Sequence, residues 1–389
     1  MEGEAPRSRP GMRSLASLFG HQAAAPAADA PAEVFDAAEM ERLRRRWQEP
    51  HPAGGTRGEV MLERLAARKG LGGGALAEPL DLRGIRLVDA DLAGLDLTGC
   101  DLSGADLSRA DLERTVLFQS RLRGTSLFHA RMVHTELSGA DLTGANLTGV
   151  AAPRAGFGMA CLRGAELLEA DLRHATLTEA DLRHTDLRMA RLETARLRAA
   201  DLRDADLSRA RLKGADLDDS RVTGAVFDGA DLRHADIGGL VGYDRASWIG
   251  TDIRDIEFTG AHLCRRFIHD QNYLEEFKSR SRWSRVLYGV WWVTSDCGRS
   301  LVRWALWTML LAIAFAGLFL TVDVDYGPHR TPLSPFYFSV VTLTTLGFGD
   351  VVPRSLAAQL VVIAEAVAGY VMLGGLLSIL SNKMARRAE

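Results

Sequence analysis

The sequence predicts a chain of mixed class: a four-sided β-solenoid of short repeats, followed by an all-α membrane domain with two spans. Three observations carry this. A strict five-residue period centred on leucine begins at Leu80 and holds through Ile237. Two apolar runs, Trp304–Val322 and Leu356–Leu380, have the length of membrane spans. Between them, Thr342–Asp350 reads TLTTLGFGD, a threonine run followed by two glycines spaced by one aromatic residue.

Size and composition set the outer limits. The chain of 389 residues has room for two or three domains. Its net charge of −3 lies too near neutral for a dedicated nucleic-acid binder, so no nucleic-acid partner is expected. Four cysteines, Cys100, Cys161, Cys264 and Cys297, form no C-x-x-C pair, which argues against zinc and against a disulfide framework. They read as reduced thiols on the cytoplasmic side. The N-terminus lacks an apolar stretch of signal-peptide length, so the N-terminal part is expected in the cytosol. No Ser/His/Asp or Cys/His set and no phosphate-cradling glycine loop is present, so the chain does not read as an enzyme and no cofactor is expected. The solenoid histidines, such as His129, His134, His174, His184 and His234, lack metal-ligand spacing and read as outward and solvated.

Residues 1–34 are rich in Ala, Pro and Gly and poor in large apolar groups, the composition of a disordered segment. Residues 35–78 hold two short helical patterns, VFDAAEMERLRRRWQ and GEVMLERLAARKG, separated by EPHPAGGTR.

The solenoid is expected over 79–265. Its central positions run Leu82, Leu87, Leu92, Leu97, Leu102 and onward, and the register survives the atypical VAAPRAGFGM of 150–159. A small residue stands two positions before many of these leucines, as at Ala90, Ala105, Ala140 and Ala200. A period of five suits neither a helix nor a simple strand. A coil with one pentapeptide per side returns the chain to the same environment every fifth residue and stacks each Leu over the one twenty positions earlier. About eight regular coils at the roughly 4.8 Å inter-strand spacing make a rod near 40 Å. Stacking buries a leucine column that no single repeat could bury alone. At the outer positions, Asp171 beside Arg191, Arg196 beside Asp216 and Arg211 beside Asp231 read as charge ladders. The period breaks at LVGYDRASWIG and is expected to resume one residue out of phase in TDIRD, IEFTG and AHLCR. These repeats, over about 80–265, resemble the pentapeptide-repeat family, which implies a right-handed quadrilateral β-solenoid. Some members of that family mimic DNA with an acidic rod; here the acidic residues are interleaved with arginines, which weakens that reading.

Residues 266–300 read as a linker with an interfacial helix. Trp283, Trp291, Trp292, Trp304 and Trp307 cluster before or at the start of the first apolar run, as in an aromatic belt. That run, at 1.5 Å per residue, covers roughly 28 Å, enough to cross the hydrocarbon core. The second run is longer and crosses with some tilt. Arg280, Arg282, Arg285, Arg299 and Arg303 precede the first span, and Lys383, Arg386 and Arg387 follow the second. The segment between carries only Arg330 and Arg354 beside Asp323, Asp325 and Asp350, so both ends are expected on the cytoplasmic side of the inner or plasma membrane. PLSPFYFSVVTL is too short to cross and suits a half-helix that enters the membrane and stops.

Stripping water from an ion needs oxygen ligands in place of its hydration shell. A row of backbone carbonyls supplies them only if alternate residues take unusual dihedrals, which glycine adopts without a Cβ penalty. Gly347 and Gly349 supply that freedom, Leu346 and Phe348 are expected to wedge the strand outward, and Thr345 can add its hydroxyl. One strand offers too few oxygens, so several copies must meet on an axis. Thr345-Leu346-Gly347-Phe348-Gly349 followed by Asp350 resembles the selectivity filter T-x-G-[Y/F]-G-D of potassium channels. The resemblance extends over about 300–385, with 301–389 as a pore domain of outer helix, pore helix, filter and inner helix. It implies a homotetramer in the lipid bilayer with K⁺ as permeant ion, coordinated at Thr345, Leu346, Gly347 and Phe348. It also implies filter support from Thr344, Asp350 and Tyr337, and a gating hinge at Gly369 with Gly374 at a second recurring glycine position. Phe336-Tyr337-Phe338 stands where the family has pore-helix aromatics, and Pro353 follows the filter at the usual interval.

The departures are Leu346 for Val, Phe348 for Tyr, and Val341 where some relatives carry a Glu; Asp350 is expected to accept a bond from Tyr337 instead. Glu365, in the second span, is costly on a lipid face and packs behind the filter or faces the pore. The resemblance and the residues together predict a tetrameric potassium channel with cytoplasmic solenoids. No Arg-rich helix precedes the pore and only SNKMARRAE follows it, so gating input is expected through Phe267–Arg299, acting on the inner helices near Ser378–Met384. A membrane-anchored scaffold whose repeats bind an unidentified protein, and a nonselective cation pore, are the alternatives.

Overall fold

A computed structural model describes residues 37–70, 78–256, 262–295, 300–327 and 331–388. The expected disordered segment 1–34, Cys297, Arg299 and Arg330 lie outside the described residues. The chain divides into two compact units, one ending at His269 and one beginning at Asp270.

The first unit is the solenoid with its cap. The residue before each central leucine forms a parallel bridge with its counterpart twenty residues on, from Asp81↔Asp101 to Arg221↔Val241. Each coil hydrogen-bonds to the next through the main chain, as in Leu82 N to Asp101 O at 2.7 Å and Asp101 N to Leu80 O at 3.0 Å. Leu82, Leu102, Leu122, Leu142, Leu162, Leu182 and Leu202 are all fully buried. The small residues join them, with Ala110, Ala170 and Ala200 at 0 % exposure. Between sides, the N–H three residues after each Leu bonds back to that Leu, as in Ala90 N to Leu87 O at 3.2 Å. The second residue after Leu has positive φ, +68° at Gly84 and +56° at Asp89, as the third residue of a type II turn requires. Where that residue is not glycine, the left-handed backbone costs on the order of 1 kcal/mol, which burial of the leucine column offsets. Ala152 and Phe157, both buried, keep the register through 150–159 as expected.

The expected ladders are present, with Asp171 beside Arg191, Arg196 beside Asp216 and Arg211 beside Asp231, and pairs such as Arg109–Asp89 at 2.6 Å and Arg198–Asp218 at 2.8 Å join successive coils. The expectation did not include a second set of pairs, within a repeat. Asp171 holds Arg173 at 2.6 Å but Arg191 only at 3.8 Å, and Asp231 holds Arg233 at 2.7 Å while Arg211 approaches Glu193 at 3.8 Å. Residues two apart share a face of an extended segment, and the planar guanidinium meets the carboxylate through two N–H groups. The same Asp also accepts its repeat's own main-chain N–H, Arg173 N to Asp171 Oδ1 at 3.3 Å, so it braces the turn. The period resumes one residue out of phase, as expected, while the expected end of the repeats is corrected. A single turn of 3₁₀ helix, Tyr243–Arg245, inserts the extra residue, and pairing resumes at once with Val226↔Ser247 and Asp231↔Asp252. Trp248 fills the next central position, stacked on Phe227 at 4.3 Å with the rings 2° from parallel. AHLCR is not a repeat: the expected boundary at 265 falls inside a helix that begins at His262.

Helices α1 (Ala37–Gln48) and α2 (Arg57–Gly70) belong to the cap of the first coil. Trp47 Nε1 donates to Arg83 O at 2.8 Å, and Arg46 grips Asp81 at 2.7 and 2.8 Å. The guanidinium of Arg46, with that of Arg83, holds the Asp81 carboxyl well below the usual carboxylate range. A capping box starts α2: Glu59 accepts from Thr56 N at 2.8 Å, and Thr56 Oγ1 accepts from Glu59 N at 3.2 Å. At the other end, α3 (His262–Arg280) buries Cys264 and Ile268 in the solenoid core. Burial pushes the Cys264 thiol up to about 12, an inert state, and none of Cys100, Cys161 and Cys264 forms a disulfide among the described residues.

The second unit continues with α4 (Arg282–Ser295), α5 (Leu301–Phe319), α6 (Ser334–Leu343) and α7 (Leu356–Ala388). Two-residue strands β1 (Val324–Asp325) and β2 (Val352–Pro353) pair antiparallel across the segment that holds α6. Helices α5 and, through Ser381, α7 are long and apolar enough to cross a membrane, whereas α6 is ten residues long.

Candidate functional site

Ser300 caps α5 by accepting from Arg303 N at 3.2 Å, so the first span starts where the arginines end. Helix α6 opens on Pro335, whose missing N–H is no loss in a first turn. It then packs Phe338 against Phe319 of α5, with ring centroids 4.8 Å apart, in a cluster with Val324, Val351 and Ala358. Thr344 ends the helix with its hydroxyl donating to Val340 O at 2.7 Å.

The stretch that follows alternates in hand. Thr345, Gly347 and Gly349 have φ of +59°, +49° and +75°, while Leu346 and Phe348 between them do not enter the positive region. In an ordinary strand successive carbonyls point to opposite sides; an alternation of hand turns them toward one. The expectation placed the unusual dihedrals at the glycines; Thr345 is a third such position and carries a Cβ. Leu346 N donates to Val341 O at 3.0 Å, which anchors the start of the strand to α6. Within one chain the strand is uncovered: Leu346 is 61 % exposed and Phe348 64 %. Among the described residues these two side chains are not wedged against other helices of the same chain.

Tyr337 donates its hydroxyl to Asp350 Oδ2 at 3.0 Å, the bond expected for Asp350 in the absence of a glutamate at Val341. Gly369 lies against the end of α6, where a Cβ would stand 2.2 Å from Leu343 O, and Gly374 faces open space. Glu365, one turn before Gly369, is fully buried, and one of its oxygens is hydrogen-bonded to Ser339 on α6. It packs behind the half-helix.

Sequence reasoning missed three groups. Ser339 is one; asking which neighbour could satisfy a carboxyl inside a span would have found it. Trp304 is another, with its indole N–H donating to Met372 O on α7 at 3.0 Å. The third is the clasp formed by Asp325 with Arg354 and with Gly327 N, the latter at 3.0 Å. The Gly327 N–H, and after it the Arg354 guanidinium, hold the Asp325 carboxyl below the usual carboxylate range. Strands of two residues carry no periodic signal, so nothing in the sequence announced the clasp.

The family model described as ion channel matches residues 305–386, which contain α6, the stretch Thr342–Asp350 and most of α5 and α7. The pentapeptide-repeat model matches in eight copies between residues 81 and 239. The chain is 33 % identical over 87 residues to Two-pore potassium channel 1 of Arabidopsis thaliana, covering 20 % of this chain and 24 % of that protein. It is 39 % identical over 82 residues to Two pore potassium channel b of Oryza sativa subsp. japonica, covering 21 % and 23 %. The match thus spans about a quarter of the length of these relatives. The crystal structure of HetL, a pentapeptide repeat protein from Nostoc sp. strain PCC 7120, overlays at a TM-score of 0.21 with 29 % identity, covering 51 % of this chain and 94 % of that one. The chain is a fusion of pentapeptide repeats, residues 81–239, with an ion-channel domain, residues 305–386.

Proposed function

We propose that four copies of this chain form a K⁺-selective channel in a cell membrane. Main-chain oxygens of Thr345, Leu346, Gly347 and Phe348, with the Thr345 hydroxyl, replace the water around the ion. The observation that carries this is the alternating-handed backbone at Thr345, Gly347 and Gly349 directly after a short apolar helix. One strand supplies too few oxygens for a dehydrated cation, and its uncovered Leu346 and Phe348 suit burial by neighbouring copies. The C-terminal end of α6 carries the negative end of its helix dipole, which favours a cation beneath the filter. Both cytoplasmic ends follow from the arginines before α5 and the basic residues after Ser381. On this reading the right-handed coil lies in the cytosol and restrains the outer helix through α3 and α4.

Purified protein in liposomes with a K⁺ gradient tests the channel. K⁺ efflux that Ba²⁺ blocks, with a reversal potential set by K⁺ rather than Na⁺, is the expected result. No efflux from a folded, reconstituted protein refutes conduction. Equal K⁺ and Na⁺ permeability refutes selectivity alone.

A further inference from the structure

Ser339 Oγ on α6 sits between two oxygens. It is 2.8 Å from Ala312 O on α5 and is hydrogen-bonded to Glu365 Oε1 on α7. A serine hydroxyl has one proton to donate, and the Ala312 carbonyl has none. Both contacts are therefore satisfied together only when the Glu365 carboxyl carries a proton: it donates to Ser339 Oγ, and Ser339 donates to Ala312 O. Its second oxygen, Oε2, is buried without a hydrogen-bond partner among the described residues. A buried charge left half-solvated in this way is far more costly than a neutral carboxyl. Residues 304–319, 334–343 and 356–381 supply no counter-charge. The α5 sequence 304–319 has no Asp, Glu, Lys, Arg or His, α6 adds only Tyr337, already bonded to Asp350, and the span 356–381 adds only Tyr370, which is 65 % exposed.

We propose that Glu365, in its neutral form, is a positioning residue for permeation: as a hydrogen-bond donor to Ser339 it ties the filter-bearing helix to both spans at one point. The tie is placed to matter. Helix α6 is ten residues long, and Thr345 follows Ser339 by less than two turns. One turn further along both helices, Gly369 is in tight contact with Leu343 O, so Ser339–Glu365 and Leu343–Gly369 form two successive rungs between α6 and α7. The first rung sets the rotation of α6 about its own axis, and with it the direction in which the strand leaves its C-terminus. The inference rests on the channel reading.

The test compares E365Q, E365L and S339A in reconstituted full-length protein, each checked for folded assembly by gel filtration. The glutamine amide keeps a donor for Ser339 Oγ; leucine keeps volume and removes the donor. Loss of one buried hydrogen bond at this point is expected to lower the K⁺/Na⁺ permeability ratio about tenfold in E365L and in S339A. E365Q is expected to rescue the ratio to within about twofold of the unmutated protein. The E365L/S339A double variant is expected to be no worse than S339A, because both changes break one link. If E365L is too unstable to assemble, S339A and the S339A/E365Q pair carry the test, with E365Q then giving no rescue in the S339A background. Equal ratios in E365Q and E365L, additive losses, or an unchanged S339A overturn the inference while leaving the channel intact. Absence of Ba²⁺-sensitive K⁺ flux in the unmutated protein overturns the channel reading and this inference with it.

Discussion

Tyr337 and Asp350 are joined by a 3.0 Å hydrogen bond from the phenolic hydroxyl to Oδ2, linking the first turn of α6 to the residue that closes TLTTLGFGD. The bond makes a closed loop: the strand is held at its start by Leu346 N on Val341 O and at its end by Tyr337. Tyr337→Phe removes the hydroxyl and keeps the ring. The bond is solvent-exposed within one chain, and its loss is expected to shift the balance from conducting toward collapsed filters. Single-channel recording checks this: unitary current is retained and burst duration shortens.

The Gly369 and Gly374 pair separates packing from hinge. A Cβ on Gly369 would overlap Leu343 O at 2.2 Å, a main-chain atom that cannot swing away, whereas a Cβ on Gly374 meets nothing within 4 Å. Gly369→Ala is expected to cost about 1–3 kcal/mol by overpacking. Gly374→Ala, inside a helix and unobstructed, is expected to be neutral or stabilising by up to about 1 kcal/mol. Thermal unfolding of the detergent-purified assembly measures both. A pure hinge role at Gly369 predicts instead an unchanged unfolding temperature with altered gating.

In the solenoid, two glycines of like backbone differ in surroundings. Gly94 has φ +74° and open space around it, while Gly84 has φ +68° with Leu43 Cβ 2.8 Å from the added carbon. Gly94→Ala is expected to cost about 1 kcal/mol from backbone conformation alone. Gly84→Ala carries that cost and also displaces α1, so limited proteolysis should cleave within 37–48 in this variant and not in the first.

The long repeat region was legible because every fifth residue meets the same environment, and leucine, alanine and the left-handed turn position each report it. Its end was not. Trp248 resumes the column inside a stretch that reads as a break, and His262 starts a helix whose first residues still mimic the repeat. The in-repeat Asp–Arg clamps were hidden for a different reason: an Asp at one spacing has arginine neighbours both two residues on and a coil away, and only distance decides between them. In the membrane unit the residue types were visible and their partners were not. Glu365 stood out as a lone carboxyl, but Ser339 comes to it from a different helix.

The Asp325 clasp sets a pH limit. Its carboxyl is depressed in the folded state by Gly327 N–H first and Arg354 second. A depressed carboxyl contributes stability above the unfolded value of about 3.9, and that contribution is lost as pH falls below it. The difference in unfolding temperature between the unmutated protein and Asp325→Asn is therefore expected to be constant from about pH 5 to 8 and to shrink as pH falls below about 3.9. Arg354→Gln should leave part of this acid sensitivity in place, because the Gly327 N–H remains.

Trp304 couples the two spans from the other side. Its Nε1 donates to Met372 O at 3.0 Å, and its ring edge lies where a Cβ on Gly375 would sit, 2.2 Å from Cζ2. The indole is thus bonded to a main-chain carbonyl of α7 and seated on its neighbouring turn, between Gly369 and the helix end. A bend of α7 at Gly369 displaces Met372 relative to α5 and breaks this bond. The bond therefore favours the conformation seen here over a bent one by about 1 kcal/mol. Trp304→Phe keeps a ring near Gly375 and removes the donor, so the balance between the two conformations should shift roughly fivefold toward the bent one. Gly375→Ala pushes the indole off its seat and is expected to shift the balance the same way. Combining it with Trp304→Phe should add little, since both act on one contact. Open probability in bilayers measures the shift, and its direction tells whether the straight α7 is the closed or the open form. An unchanged open probability in both single variants removes the indole from gating.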